Sequence, residues 1–173
     1  SLSTTRARIV AASPAWSGGS ASAPANVPAS GAYSSRIERA IAPYADIVQP
    51  RSSEIAAAIA EFIEAKPSVI IMADVGTIPP PAETLLKDWI DKGGLLVRFA
   101  GPRLAAASED KLLPVALRRG ERALDGTMSW TVPQSLLPFG ELSPFAGMEI
   151  TSDITISRQV LALPEPNLAE RSW

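Results

Sequence analysis

The chain has 173 residues, of which 46% are hydrophobic and 20% charged, with a net charge of −2 and a pI near 5.2. That length and balance fit one globular domain with a real core, and the charge gives no basis for nucleic acid or an anionic membrane as partner. There is no cysteine and no histidine, which excludes disulfides, Ser-His-Asp and Cys-His nucleophilic systems, and nearly all zinc sites.

The start, Ser1 to Val10, lacks the charged head and apolar centre of a signal peptide, and no apolar run approaches the roughly 20 residues of a membrane span. "ARIVAA" (Ala7–Ala12) is a short apolar run suited to a buried strand. Ser13 to Ala32, rich in Ser, Ala, Gly and Pro, has no period and reads as a flexible loop; the alternative is a lid carrying Trp16. "YSSRIERAIAPY" sets Tyr33, Ile37, Ile41 and Tyr44 on one helical face. "ADIVQP" (Ala45–Pro50) is a second strand closed by Pro50. Ser52 or Ser53 can cap the next helix, whose stripe of Ile55, Ile59, Phe62 and Ile63 stops at Pro67.

"VIIMA" (Val69–Ala73) shows no alternation, as expected of a strand covered on both faces. In the helix that follows, Pro80 or Pro81 suits the first turn and Glu83 its positive end. Leu85, Leu86, Trp89 and Ile90 are its core positions, and Gly93-Gly94 ends it in a left-handed conformation. "LLVRFA" (Leu95–Ala100) is the fourth strand. The order β-α-β-α-β-α-β predicts an α/β three-layer sandwich with a mostly parallel sheet and helices on both faces, the first strand lying between the second and third. From Gly101 to Trp173 the pattern is irregular and proline-rich, with strands at "TMSWTV" (Thr127–Val132) and within "EITSDITISRQVLAL" (Glu149–Leu163). An aromatic residue at the very end, Trp173, reads as a domain cut from a longer chain.

The stretch "KPSVIIMADVGTIPPPAETLLKDWIDKGGLLVRFAGPRLA" resembles the central part of class I glutamine amidotransferase-like domains, in the flavodoxin-like class. "LLPVALRRGERALDGTMSW" and "SPFAG" resemble large bacterial membrane proteins with an aerotolerance-regulator-type amino-terminal region. The resemblance covers Ala7 to Leu104 at the level of fold and most of the chain at the narrower level. It implies one amidotransferase-like domain over residues 1–173, held outside the membrane, with membrane contact only through segments outside this chain. Active amidotransferases carry a cysteine on the turn after a strand, in a context like G-x-C-x-G, with a distant histidine as base. Laying "RFAGPRLA" on that turn puts Phe99 at the cysteine position and Gly101 at the following glycine, and no residue can supply the histidine. The resemblance therefore implies the fold without the chemistry.

Asp74 stands at the carboxyl end of the third strand, near a possible topological switch point, where an acid can bind a ligand or a cation. The plainer reading makes it a turn residue bonded to the backbone of Gly76 or Thr77. The ligand or partner surface is expected to comprise Asp74, Gly76, Thr77, Phe99, Gly101, Arg103 and Trp16, with the Phe99 ring filling the space where a reacting carbon would sit. Ser108 and Lys111 have S-x-x-K spacing but lack a K-T-G element. Arg118, Arg119 and Arg122 read as a solvated basic face or a contact for an acidic partner. No Walker loop, G-x-G-x-x-G or calcium-type oxygen array is present, and Gly18-Gly19 is only a loop doublet. The expectation is thus no catalytic residue, no metal and no cofactor. The chain reads as a non-catalytic interaction or ligand-sensing domain of a membrane-anchored bacterial protein, its partner a protein or a small ligand. The alternative is a hydrolase-like enzyme using Asp74.

Overall fold

An uninterrupted apolar strand such as Val69–Ala73 needs cover on both faces, and the structure provides it. The computed structural model describes residues 7–12, 31–49, 51–52, 54–107, 110–118 and 127–170. Strands β1 (Ala7–Ala12), β2 (Ala45–Val48), β3 (Val69–Ala73) and β4 (Leu95–Phe99) form one parallel sheet in the order β2-β1-β3-β4. Helices α1 (Gly31–Ile41), α2 (Ile55–Glu64) and α3 (Pro80–Asp91) are the crossovers. Right-handed crossovers that step left from β1 to β2, then right to β3 and β4, place α1 on one face and α2 with α3 on the other. The observed contacts agree: α2 packs on α3, and α1 on β1 and β2.

The core lies under α2 and α3. Val48, Val10, Ile70 and Leu96 are paired in one row across the sheet. Ile59 and Phe62 from α2, and Ala82 and Leu86 from α3, close over that side together with Met72, Val75 and Ile78. Fully burying side chains of this size contributes about 1.5–3 kcal/mol each, so this layer is a large source of stability among the described residues.

Local expectations fail where a turn ends the period. Tyr44 is 79% exposed because α1 stops at Ile41 and the chain turns before reaching it. Leu85 is also exposed, one position off the stripe of Ala82, Leu86 and Trp89. The cap of α2 is Glu54 rather than Ser52: its two carboxylate oxygens accept the N–H groups of Ala56 and Ala57 at 3.0 and 2.7 Å. Ser52 instead accepts the Glu54 N–H. Gly31 and Ala32, expected in the long loop, begin α1; residues 13–30, with Trp16, lie outside the described residues, as do Ser53, Ser108, Arg119, Arg122 and Trp173.

The glycine pair after α3 divides its work. Gly93 adopts φ +96° and turns the chain. Gly94 permits close approach: a Cβ there would stand 2.2–2.5 Å from the Trp89 indole, which donates from Nε1 to the Pro67 carbonyl at 3.3 Å. Beyond β4 come α4 (Pro102–Ala106) and an antiparallel ribbon of β5 (Thr127–Ser135) and β6 (Thr155–Val160), then a 3₁₀ turn at Leu168–Glu170. Pro133 cannot donate to a ladder, and the ribbon register shifts between Ser129 and Gln134 around it.

Gly94→Ala is expected to destabilise the protein by about 1–3 kcal/mol, because a rigid ring must give way. Denaturant titration beside wild type checks this; an unchanged midpoint would show that Trp89 is not held against the backbone.

Candidate functional site

The carboxyl ends of β3 and β4 bring together most of the residues singled out in the sequence. β3 ends at Ala73, and Asp74 takes φ +54°, a left-handed conformation in which Asp and Asn are over-represented. The chain turns there without breaking the ladder, since the Asp74 N–H still donates to the Phe99 carbonyl at 2.9 Å. The Asp74 side chain then reaches the neighbouring turn. Its Oδ1 accepts the N–H groups of Arg103 and Leu104, both at 3.0 Å.

Those two donors are the second and third residues of α4. Helix starts leave such groups unpaired, and the residue before the helix usually bonds them with its own side chain. Here that residue is Gly101, which has none, and the first helical residue is Pro102, which has no N–H to satisfy. Asp74 therefore caps α4 from 29 and 30 residues away. Gly101 is part of the arrangement, because a Cβ on it would lie 2.5 Å from the Asp74 Cγ and 2.7 and 2.8 Å from its oxygens. Gly76 also sits close, with a Cβ there meeting the Arg103 carbonyl at 3.1 Å.

A second contact anchors the same loop. Arg98, the fourth of the five residues of β4, points into the protein, its side chain only 5% exposed. Its Nη1 donates to Asp110 Oδ2 and its Nη2 to the Val75 carbonyl, both at 2.8 Å, while Nε has no partner. Asp110 Oδ1 accepts the Leu112 N–H at 2.9 Å. The guanidinium thus links the β3–α3 loop to the segment after α4. Sequence reasoning missed this pair, although a charge inside the apolar run "LLVRF" was the available signal.

Several expectations need correcting. The Asp74 carboxylate bonds α4 rather than Gly76 or Thr77, and Thr77 is exposed. The Phe99 ring does not fill a site: it is 50% exposed, and the residue joins the junction through its carbonyl. A substitution of Phe99 by alanine therefore falls well short of the roughly 3–5 kcal/mol of a buried phenylalanine. Arg103 contributes its backbone N–H and a positive charge near Asp74.

Burial pushes the Asp74 carboxyl above its ordinary value of 3.8, against the two N–H bonds and the Arg103 charge that pull it down. Among the described residues, no cluster of three or more acids could hold a metal ion, and no helix is long and apolar enough to cross a membrane. Comparison with family models, curated proteins and solved structures found no match for this chain.

Asp74→Ala is expected to cost about 2–4 kcal/mol, combining a lost cap of roughly 0.5–2 kcal/mol with alanine held at positive φ. Gly101→Ala should cost a similar amount in wild type and much less in the Asp74→Ala background, since the group it strikes is gone. Additive effects in that double-mutant cycle would refute the contact.

Asp74→Asn keeps an oxygen acceptor and a residue suited to the left-handed region, so its stability should stay within about 1 kcal/mol of wild type. The pH dependence has a definite sign. With the folded value raised above 3.8, the protonated acid's contribution is present in acid and lost as pH rises through the folded value. Asp74→Asn should therefore gain on wild type between acid and neutral pH. Parallel denaturant titrations check this, and a relative loss would mean the carboxylate is stabilised by folding.

Proposed function

We propose that this chain is a non-catalytic binding domain on an amidotransferase-like frame, the extramembrane part of a membrane-anchored bacterial protein. The observation that carries the reading is the occupied junction at the strand ends. In open α/β sheets, ligands sit outside the carboxyl ends of the strands where strand order reverses. Order reverses between β1 and β3; Asp74 directly follows β3, and its Oδ1 is turned to the backbone of α4 beyond β4, with the carboxylate standing beside Gly101. A catalytic acid or base has to exchange protons with a substrate and with a second group. Asp74 instead serves as a helix cap, and the charge that acts on it is that of Arg103, which does not relay protons at ordinary pH. The resemblance in sequence, the parallel order β2-β1-β3-β4 and the lack of cysteine and histidine all support the same reading.

The alternative, a hydrolase-like enzyme using Asp74, draws on one specific observation. A strained backbone and a carboxyl raised by burial occur together at a strand end, as they do at many active sites. Both features have a structural cause here: the conformation aims the side chain at α4, and the turn it closes partly buries the carboxyl.

The two readings separate in one assay series. Release of ammonia from glutamine and cleavage of a nitrophenyl ester are expected at the buffer rate from acid to mildly alkaline pH. A rate above buffer that Asp74→Asn eliminates, with stability retained, would establish the hydrolase reading instead.

A further inference from the structure

The exposed apolar side chains are unevenly distributed. Of the twelve large ones exposed among the described residues, eight fall between Val132 and Leu163, in and around the β5–β6 ribbon. Six of them are in the connection between the strands or next to it: Leu137, Phe139, Leu142, Phe145, Met148 and Ile154. The connection is not shapeless. Three successive tight turns are closed by Ser143 N–H to Gly140 O, Ala146 N–H to Ser143 O and Met148 N–H to Phe145 O, at 2.9–3.0 Å. Ser143 is buried and its hydroxyl accepts the Phe145 N–H, while the Phe139 and Phe145 rings lie 5.3 Å apart. Large apolar residues at 139, 142, 145 and 148 thus recur at intervals of three on an ordered backbone, with Leu142 90% exposed.

Two physical arguments say that this surface is covered when the protein works. A lone two-stranded ribbon is marginal in water, and the close contacts of β5 and β6 are with each other far more than with the parallel sheet. Concentrated apolar exposure on an ordered segment marks an interaction site rather than ordinary surface. Charge then narrows the occupant. From Thr127 to Ser157 the only charged residues are Glu141, Glu149 and Asp153, all acidic. Hydrogen bonds from the Thr151 hydroxyl and its own backbone hold Asp153 below the usual carboxylate range, so it stays ionised. Such a surface repels an anionic bilayer, and pairing with the same patch of a second copy would set acid against acid.

We propose that the segment joining β5 to β6, Leu136–Ile154, is a docking surface for a protein segment that combines apolar side chains with lysine or arginine. This deepens the binding-domain reading and rests on it. The apolar partner residues cover Phe139, Leu142, Phe145 and Met148, and the cations face Glu141, Glu149 and Asp153.

The test titrates the isotope-labelled 173-residue chain with two short synthetic peptides, one alternating leucine with lysine and one alternating leucine with glutamate. The lysine peptide should shift the amide signals of Leu137 to Ile154, bind about tenfold tighter than the glutamate peptide, and weaken as salt is added. Leu142→Ser, at a position 90% exposed, should cut that binding several-fold while leaving the denaturation midpoint unchanged. Adding Phe145→Ser, which removes a ring that also meets Phe139, should cut it further. Glu141→Lys with Glu149→Lys should reverse the peptide preference. No shift in Leu137 to Ile154, or equal binding of the two peptides, overturns the proposal. So does self-association through this segment in sedimentation, or partition onto vesicles containing phosphatidylserine. Failure with an inactive protein removes the partner class alone; hydrolysis abolished by Asp74→Asn would remove the binding-domain reading beneath it.

Discussion

The carboxylate of Asp74, bonded through one oxygen to two backbone N–H groups of α4, organises the carboxyl edge of the sheet. A helix of five residues is too short to be stable alone, because nucleation costs more than so few hydrogen bonds return. The acid supplies what that helix lacks, two satisfied donors and a negative group at its positive end. Every neighbouring feature accommodates this contact: positive φ at Asp74 aims the side chain, Gly101 leaves it room, and Pro102 removes the donor it could not reach.

The buried pair of Arg98 and Asp110 works beside it on different terms. Taking two charges out of water is expensive, and their attraction offsets that only with good geometry and further hydrogen bonds. The pair has those bonds, to the Val75 carbonyl and from the Leu112 N–H, but Arg98 Nε is left without one. Its effect is therefore to fix position more than to add stability. The first two residues of the loop after β3 are held, Asp74 by its bonds to α4 and Val75 by the guanidinium that also reaches the segment beyond α4.

The ribbon follows another logic. The parallel sheet gains its stability by burying Val10, Ile70, Met72, Phe62 and Leu86 against one another. The β5–β6 connection orders its backbone by tight turns and leaves its largest side chains outside. One part of the chain buries its large apolar side chains, and the other leaves many of them exposed.

How much of this was legible depends on the range of each interaction. Largely apolar runs located β1 to β4 to within a residue or two, and β3, buried at four of its five positions, is the one that is apolar throughout. Strand order also followed, since right-handed crossovers and short connections leave few alternatives. The same chain order put Asp74, Gly101 and Arg103 at one edge. What the acid does there was not legible. Its partners are backbone N–H groups, which every residue but proline carries, so no side-chain pattern marks them. Likewise the exposure of Phe99, Leu85 and Tyr44 depends on where neighbouring elements end. By itself, then, the sequence determined the sheet, its order and the absence of cysteine and histidine chemistry, all of which rest on residue type and local period. Only the tertiary structure decided that Asp74 caps a helix 29 residues on and that the apolar residues of the ribbon face outward, because each depends on which distant backbone comes within reach.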